Sequence, residues 1–147
     1  KLKTLDRSKY ASETGLAKGA YVLSGAGNAS KEQVAIIGTG SEVVLALELQ
    51  EKLKEKGITS RVVSMPSMEL FLKQDAAYQE SVLPKSITKR VSIEAGVTFG
   101  WKEIVGTEGL AIGVDEFGAS APAAKIFDEY GLTTPKITER VLKWLGA

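Results

Sequence analysis

The residues whose types and spacing first suggest chemistry are Gly38-Thr39-Gly40-Ser41-Glu42. They join an apolar run to a stretch of helical period. At such a junction the free N–H groups and the helix dipole favour an anion. Thr39, Gly40 and Ser41 are therefore a candidate anion site. The pattern is no Walker loop, because no Gly-Lys-Ser/Thr follows. It is a fragment of a dinucleotide fingerprint, because Val43 and Val44 stand where a third glycine would fall. Glu42 puts a carboxylate in the first helical turn, where it satisfies the dipole and would repel a phosphate. A plain tight turn with Ser41 as N-cap is the competing reading.

Two further segments draw attention. Asp115-Glu116 is the densest acidic pair. Adjacent carboxylates can bind a cation, but two ligands are too few for a metal site, so a solvated loop is the simpler reading. Lys102, Glu103, Arg90 and Glu94 read as surface or rim charges. Trp101 and Trp144 read as core or interface packing. From Gly113 to Pro122, small residues surround one aromatic directly before a helix. Small residues permit close approach by another segment. Phe117 is then either a plug in its own core or an anchor in a partner, and Phe117, Ala119, Ser120 and Pro122 are candidate interface residues.

The rest of the inventory closes off whole classes of function. None of the 147 residues is histidine or cysteine. Without cysteine there is no disulfide, thiolate catalysis, Fe–S cluster or Cys-based zinc site. Without histidine there is no Ser–His or Cys–His triad and no imidazole base. Nineteen basic against eighteen acidic residues leave a net charge of +1. That balance argues against nucleic acid or an anionic membrane as partner. No apolar run approaches the ~18 residues of a membrane span. No secretory signal is visible, so the cytoplasm is the expected location. The chain starts at Lys1 rather than methionine, which reads as a fragment or a trimmed product.

The elements that must position these residues follow from periodicity. Residues 1–19 lack a sustained apolar pattern and read as an extended arm or interdomain linker. Residues 20–24, 33–38, 61–65, 90–94 and 110–114 read as strands. The link between the first two is too short for a parallel crossover, so the first strand runs antiparallel to the second if they pair. After Gly40 the period becomes 3.6, with Val43, Ala46, Leu47, Leu49 and Leu53 on one stripe and Gly57 as the stop. Ser67 and Asp75 cap short helices. A further helical stretch opens at Gly100-Trp101. Pro122 sits in the first turn of another helix, and Thr134 caps the last, whose apolar face is Ile137, Val141, Trp144 and Leu145. Residues 20–147 are thus expected to form one three-layer α/β domain, with a mostly parallel sheet of about five strands and one antiparallel member.

With these segments in view, the chain resembles the C-terminal domain of transketolase. The matching blocks are Gly15 through Leu23, Ile36 through Val43, Val62 through Phe71, Ser92 through Gly96 with Gly100-Trp101, and Gly113 through Pro122. They follow the family's order and cover nearly all of residues 15–147. Dehydrogenase beta-subunits and deoxyxylulose-phosphate synthases share the domain type. The blocks Met65-Pro66-Ser67-Met68-Glu69-Leu70-Phe71 and Phe117-Gly118-Ala119-Ser120-Ala121-Pro122 are most similar to transketolase.

The resemblance implies a parent enzyme of the pentose phosphate pathway that moves a two-carbon ketol unit from a ketose phosphate to an aldose phosphate. It implies thiamine diphosphate and a divalent metal, magnesium or calcium, held by N-terminal and middle domains in a homodimer. The third domain is implied to be non-catalytic and to serve packing, dimer support or regulation. There is no Gly-Asp-Gly motif here, so no catalytic, cofactor-binding or metal residue is carried onto this chain. The rival readings are a stand-alone module that senses a phosphate or nucleotide at Thr39–Ser41, and a non-catalytic subunit that docks onto a separate catalytic chain.

Overall fold

The computed structural model describes residues 5–6, 9–10, 13–25, 27–115 and 123–147. Five strands are present: β1 (Tyr21–Ser24), β2 (Val34–Gly38), β3 (Ser60–Ser64), β4 (Lys89–Ile93) and β5 (Leu110–Ile112). The helices are α1 (Val43–Glu55), α2 (Met68–Leu72), α3 (Ala76–Val82), α4 (Lys102–Val105), α5 (Ala123–Glu129) and α6 (Thr134–Leu145). The strands form one sheet in the order β1-β3-β2-β4-β5. The four strands β2–β5 are mutually parallel, and β1 is antiparallel. Helices cover both faces, which is the three-layer α/β architecture expected from the strand–helix alternation.

β1 has the expected direction but pairs with β3 rather than β2, with Tyr21 opposite Ser64 and Val22 opposite Val63. The reason is occupancy. β2 already holds parallel partners on both edges, with Ile36 opposite both Val62 and Val91. Only the outer edge of β3 is left for an antiparallel strand. Within the segment read as an arm, Glu13–Lys18 forms a 3-10 helix, and Leu5 and Tyr10 lie half-buried against the core.

All five residues of β2 are buried, so it is apolar on successive positions. Its even residues, Val34 and Ile36, face α1 and α6 together with Val62, Val91 and Ile93. Its odd residues, Ala35 and Ile37, face the side of α2, α3 and α4 with Val63, Phe71, Trp101 and Ile104. The stripe Val43, Ala46, Leu47, Leu49 and Leu53 is buried along α1 as its period requires. Each such Leu or Val contributes about 1.5–3 kcal/mol relative to exposure. Ser67 and Asp75 cap α2 and α3 as expected, accepting from Leu70 N at 3.3 Å and Tyr78 N at 2.7 Å. At α6 the cap shifts by one residue: Thr133 occupies the N-cap, while Thr134 Oγ1 donates to Glu48 Oε2 on α1. Glu48, which reads as outward-facing in the sequence, therefore ties α1 to α6.

Ala35 is the register partner of Arg61 on β3 and of Arg90 on β4. The three residues form a row across the sheet on the α2–α4 face. Arg61 Nε donates to Glu32 Oε2 at 2.5 Å, and its Nη1 donates to the carbonyls of Ser81 and Val82, both at 2.9 Å. Arg90 donates to the carbonyls of Ile87, Ile104, Leu83 and Pro84 at 2.9–3.1 Å. Its guanidinium is thus no rim charge. It satisfies the open carbonyls where α3 and α4 end, and the negative ends of those helices face its charge. Burial lowers its pKa, with Glu80 acting in the opposite sense.

Two predictions follow from this row. Arg61→Ala removes the guanidinium from the buried Glu32 and from two carbonyls, and should cost about 3–5 kcal/mol in urea denaturation. Arg90→Lys keeps the charge but replaces a planar fork with a point donor. It should still cost about 1–3 kcal/mol by the same measurement; an unchanged midpoint would show that charge alone suffices there.

Candidate functional site at the carboxyl end of the sheet

The parallel strands all end on one side. In open α/β sheets a ligand crevice lies outside these ends, where neighbouring strands send their connections in opposite directions. Here that switch lies between β2, whose connection through α1 leads to β3, and β4, whose connection through α4 leads to β5. Two loops flank it: residues 39–42 after β2 and 94–101 after β4.

The first loop contains the candidate anion residues. Thr39 is extended, and its carbonyl accepts from Glu42 N at 3.1 Å, closing a 3-10 turn over Gly40–Glu42. Gly38 lets α1 sit close on the strand, since a Cβ there would lie 2.9 Å from Val43 Cα. Ser41 does not cap α1. Its hydroxyl donates to Glu42 Oε1 at 2.5 Å, and Glu42 itself takes the N-cap position. Glu42 is buried. Glu42 thus puts a buried negative charge in the turn that opens α1, although its side chain makes no capping hydrogen bond, and that charge opposes an incoming anion.

The second loop is held by contacts the sequence did not reveal. Glu94 reads as a rim charge, but its Oε2 accepts from the indole Nε1 of buried Trp101 at 2.7 Å. Asp115 accepts from Thr98 N at 2.8 Å and from Thr98 Oγ1 at 2.9–3.0 Å. These bonds hold the Asp115 carboxyl below its ordinary pKa, the Thr98 N–H first and its hydroxyl second; desolvation opposes them, and the charge of Arg140 adds a smaller pull downward. At the base, Val114 N donates to Gly96 O at 2.7 Å, and a Cβ on Gly113 would lie 2.5 Å from that same oxygen. Gly113 thus serves close approach between the β4 and β5 connections, as small residues in that block suggest. Glu116, Phe117, Ala119, Ser120 and Pro122 lie outside the described residues.

Three carboxylates, Glu42, Glu94 and Asp115, stand at this end, and each accepts a hydrogen bond from a neighbour. Among the described residues no three His, Cys, Asp or Glu side chains are placed to share a metal ion. Elsewhere, a cleft of about 660 Å³ on the α2–α4 face is lined by Phe71, Leu83, Arg90, Glu103 and Ile104. Its half-buried charge, Arg90, is committed to four carbonyls. Among the described residues at this end, the hydroxyls of Ser41 and Thr98 donate to the carboxylates of Glu42 and Asp115, so the arrangement is that of a braced edge. No local sequence signal marks the second brace, because Thr98 and its partner Asp115 stand seventeen residues apart.

Comparison with known proteins agrees with this architecture. Residues 19–133 match the family model for the transketolase-like C-terminal domain. The chain is 50% identical over 147 residues to a transketolase of Aquifex aeolicus, covering 99% of this chain and 21% of that protein. It is 52% identical over 125 residues to the chloroplastic transketolase of Spinacia oleracea, covering 85% of this chain and 17% of that one. Among solved structures, a variant transketolase from Pichia stipitis superposes with a TM-score of 0.81 at 34% identity, over 94% of this chain and 19% of that chain. The chain thus spans about a fifth of the relatives it matches. The ordered sequence blocks, the mixed five-stranded sheet and these similarities place the chain in the transketolase family, as its C-terminal domain.

Proposed function

We propose that the chain is the third domain of a polypeptide that transfers a two-carbon ketol unit from a ketose phosphate to an aldose phosphate, and that this domain is itself non-catalytic. The observation that carries the reading is the 50% identity to a transketolase along 99% of the chain, in a sequence with no histidine or cysteine. In this reading thiamine diphosphate and its divalent metal are held by upstream domains, and the cofactor supplies the carbanion chemistry. The described residues do not fit that group: Glu42, Glu94 and Asp115 are each bonded to a neighbour, and no acidic trio is present among them. No reaction step is therefore assigned to a residue of this chain. In this reading residues 20–147 serve packing, dimer support or regulation, with residues 1–19 as the connection. Phe117, Ala119, Ser120 and Pro122 are proposed to face another domain or the second subunit.

The test has two arms. The polypeptide carrying this chain, with thiamine diphosphate and magnesium, should convert a ketose phosphate and an aldose phosphate by ketol transfer. The chain alone should show no saturable micromolar binding of thiamine diphosphate and magnesium by calorimetry. Binding at that level would overturn the non-catalytic assignment. The turn at Thr39–Ser41 gives a separate prediction. Because Glu42 occupies the N-cap position of α1, neither phosphate nor sulfate should raise the melting temperature of the chain beyond a chloride control at matched ionic strength. A phosphate-specific rise would favour the sensor reading.

A further inference from the structure

Four large hydrophobic residues are exposed among the described residues: Leu16 at 46%, Leu70 at 44%, Val97 at 62% and Phe99 at 94%. Their positions are not scattered. Val97 and Phe99 lie in the loop that follows β4. Leu70 lies on α2, which begins four residues after β3 ends. Leu16 lies on the 3-10 helix that leads into β1 and packs beside α2, where a Cβ on Gly19 would meet Ser67 O at 2.4 Å and Leu70 Cβ at 2.8 Å. Because β1 is antiparallel, its start stands at the carboxyl end of β3. All four residues are thus at one end of the sheet. The opposite end carries charged residues such as Lys54, Glu55 and Lys56 at the close of α1.

Phe99 differs from an ordinary exposed aromatic in how it is held. Thr98, its neighbour, is fixed by both its N–H and its hydroxyl to Asp115. Trp101 N donates to Thr98 O at 3.2 Å, which closes a turn around Phe99. The Trp101 ring is buried and bonded to Glu94. The loop base is crossed by the Val114–Gly96 bond. Three contacts therefore brace a turn whose apex is a phenyl ring left almost wholly in water. Such a ring gains nothing for the isolated chain, but a pre-ordered aromatic loses little entropy on docking and is the usual centre of an interface.

We infer that the carboxyl end of the sheet, with Phe99 and Val97 as its anchor, is the surface that docks onto the upstream part of the same polypeptide, in an apolar pocket that receives Phe99. This deepens, and rests on, the reading of the chain as the third domain of a larger enzyme. The occupant is chosen by what lies beyond the chain: it spans 21% of the Aquifex relative, and the matched family model is a C-terminal domain. About four-fifths of such a polypeptide remains to cover a face. The 3-10 helix Glu13–Lys18, which leads into β1, also lies at this end.

The chain has no cysteine, so single cysteines report the face directly. Val97→Cys keeps the Phe99 anchor, Phe99→Cys probes the apex, and Lys56→Cys marks the opposite end. Maleimide labelling, located by peptide mass spectrometry, is compared between the 147-residue chain at low concentration and the full polypeptide. Val97→Cys and Phe99→Cys should react at least about tenfold more slowly in the full polypeptide, while Lys56→Cys reacts equally in both. Equal rates at positions 97 and 99 would overturn the inference. So would protection within the isolated chain that grows with its concentration, because the occupant would then be a second copy. Ketol transfer by the unsubstituted polypeptide reports the functional reading separately: activity with an open face sinks only the docking surface, and a protected face without activity sinks only the enzyme assignment.

Discussion

The row Arg61–Ala35–Arg90 is the constraint on which one face of this molecule depends. A residue with a long side chain at position 35 would compete for the space that two guanidinium stems occupy on either side of it. With alanine there, both arginines cross the sheet face and reach the carbonyls at the ends of α3 and α4. Neither α2, α3 nor α4 exceeds seven residues. Helices that short are marginal by themselves, because nucleation consumes most of what their few hydrogen bonds return. Their positions come from burial of Phe71, Val82, Trp101 and Ile104, and from carbonyls that would otherwise face the core without donors.

The other face is organised differently. There α1 and α6, of thirteen and twelve residues, lie on Val34, Ile36, Val62 and Val91 through continuous apolar stripes. Long amphipathic helices need no buried cation to fix them, and a bond from Thr134 to Glu48 adds a polar tie between the two. The domain thus has one face held by apolar area and one held by a mixture of apolar area and arginine caps. Loss of the caps would expose polar backbone on the second face while leaving the first packed.

The carboxyl end continues the same logic. Acidic side chains that could hold a ligand are bonded to neighbouring residues instead: Glu42 to Ser41 and Glu94 to Trp101 within their own connections, and Asp115 to Thr98 across two connections. Each bond stiffens a connection at the expense of a free functional group. The described part of this edge is therefore ordered by its own side chains, which fixes the geometry of the surface it presents.

The sequence by itself determined the strand–helix alternation, the direction of β1, the α1 stripe, the caps at Ser67 and Asp75 and the family. These are local or periodic properties, set by side-chain size, polarity and spacing within one element. The absence of histidine and cysteine likewise needs no structure to narrow the chemistry. Only the tertiary structure decided which edge β1 takes, because that depends on both edges of β2 being occupied. It alone turned Arg90 and Glu94 from apparent surface charges into bonded groups, because their partners at Ile104 and Trp101 stand fourteen and seven residues away. It alone distinguished Phe99 from the other aromatics, because exposure is a property of what packs nearby, and nothing in Val97-Thr98-Phe99 records that Asp115 holds the middle residue in place. Hydrophobic pattern is written along the chain; the pairing of a charge with a distant carbonyl is made only when residues 35, 61 and 90 come into register on β2, β3 and β4.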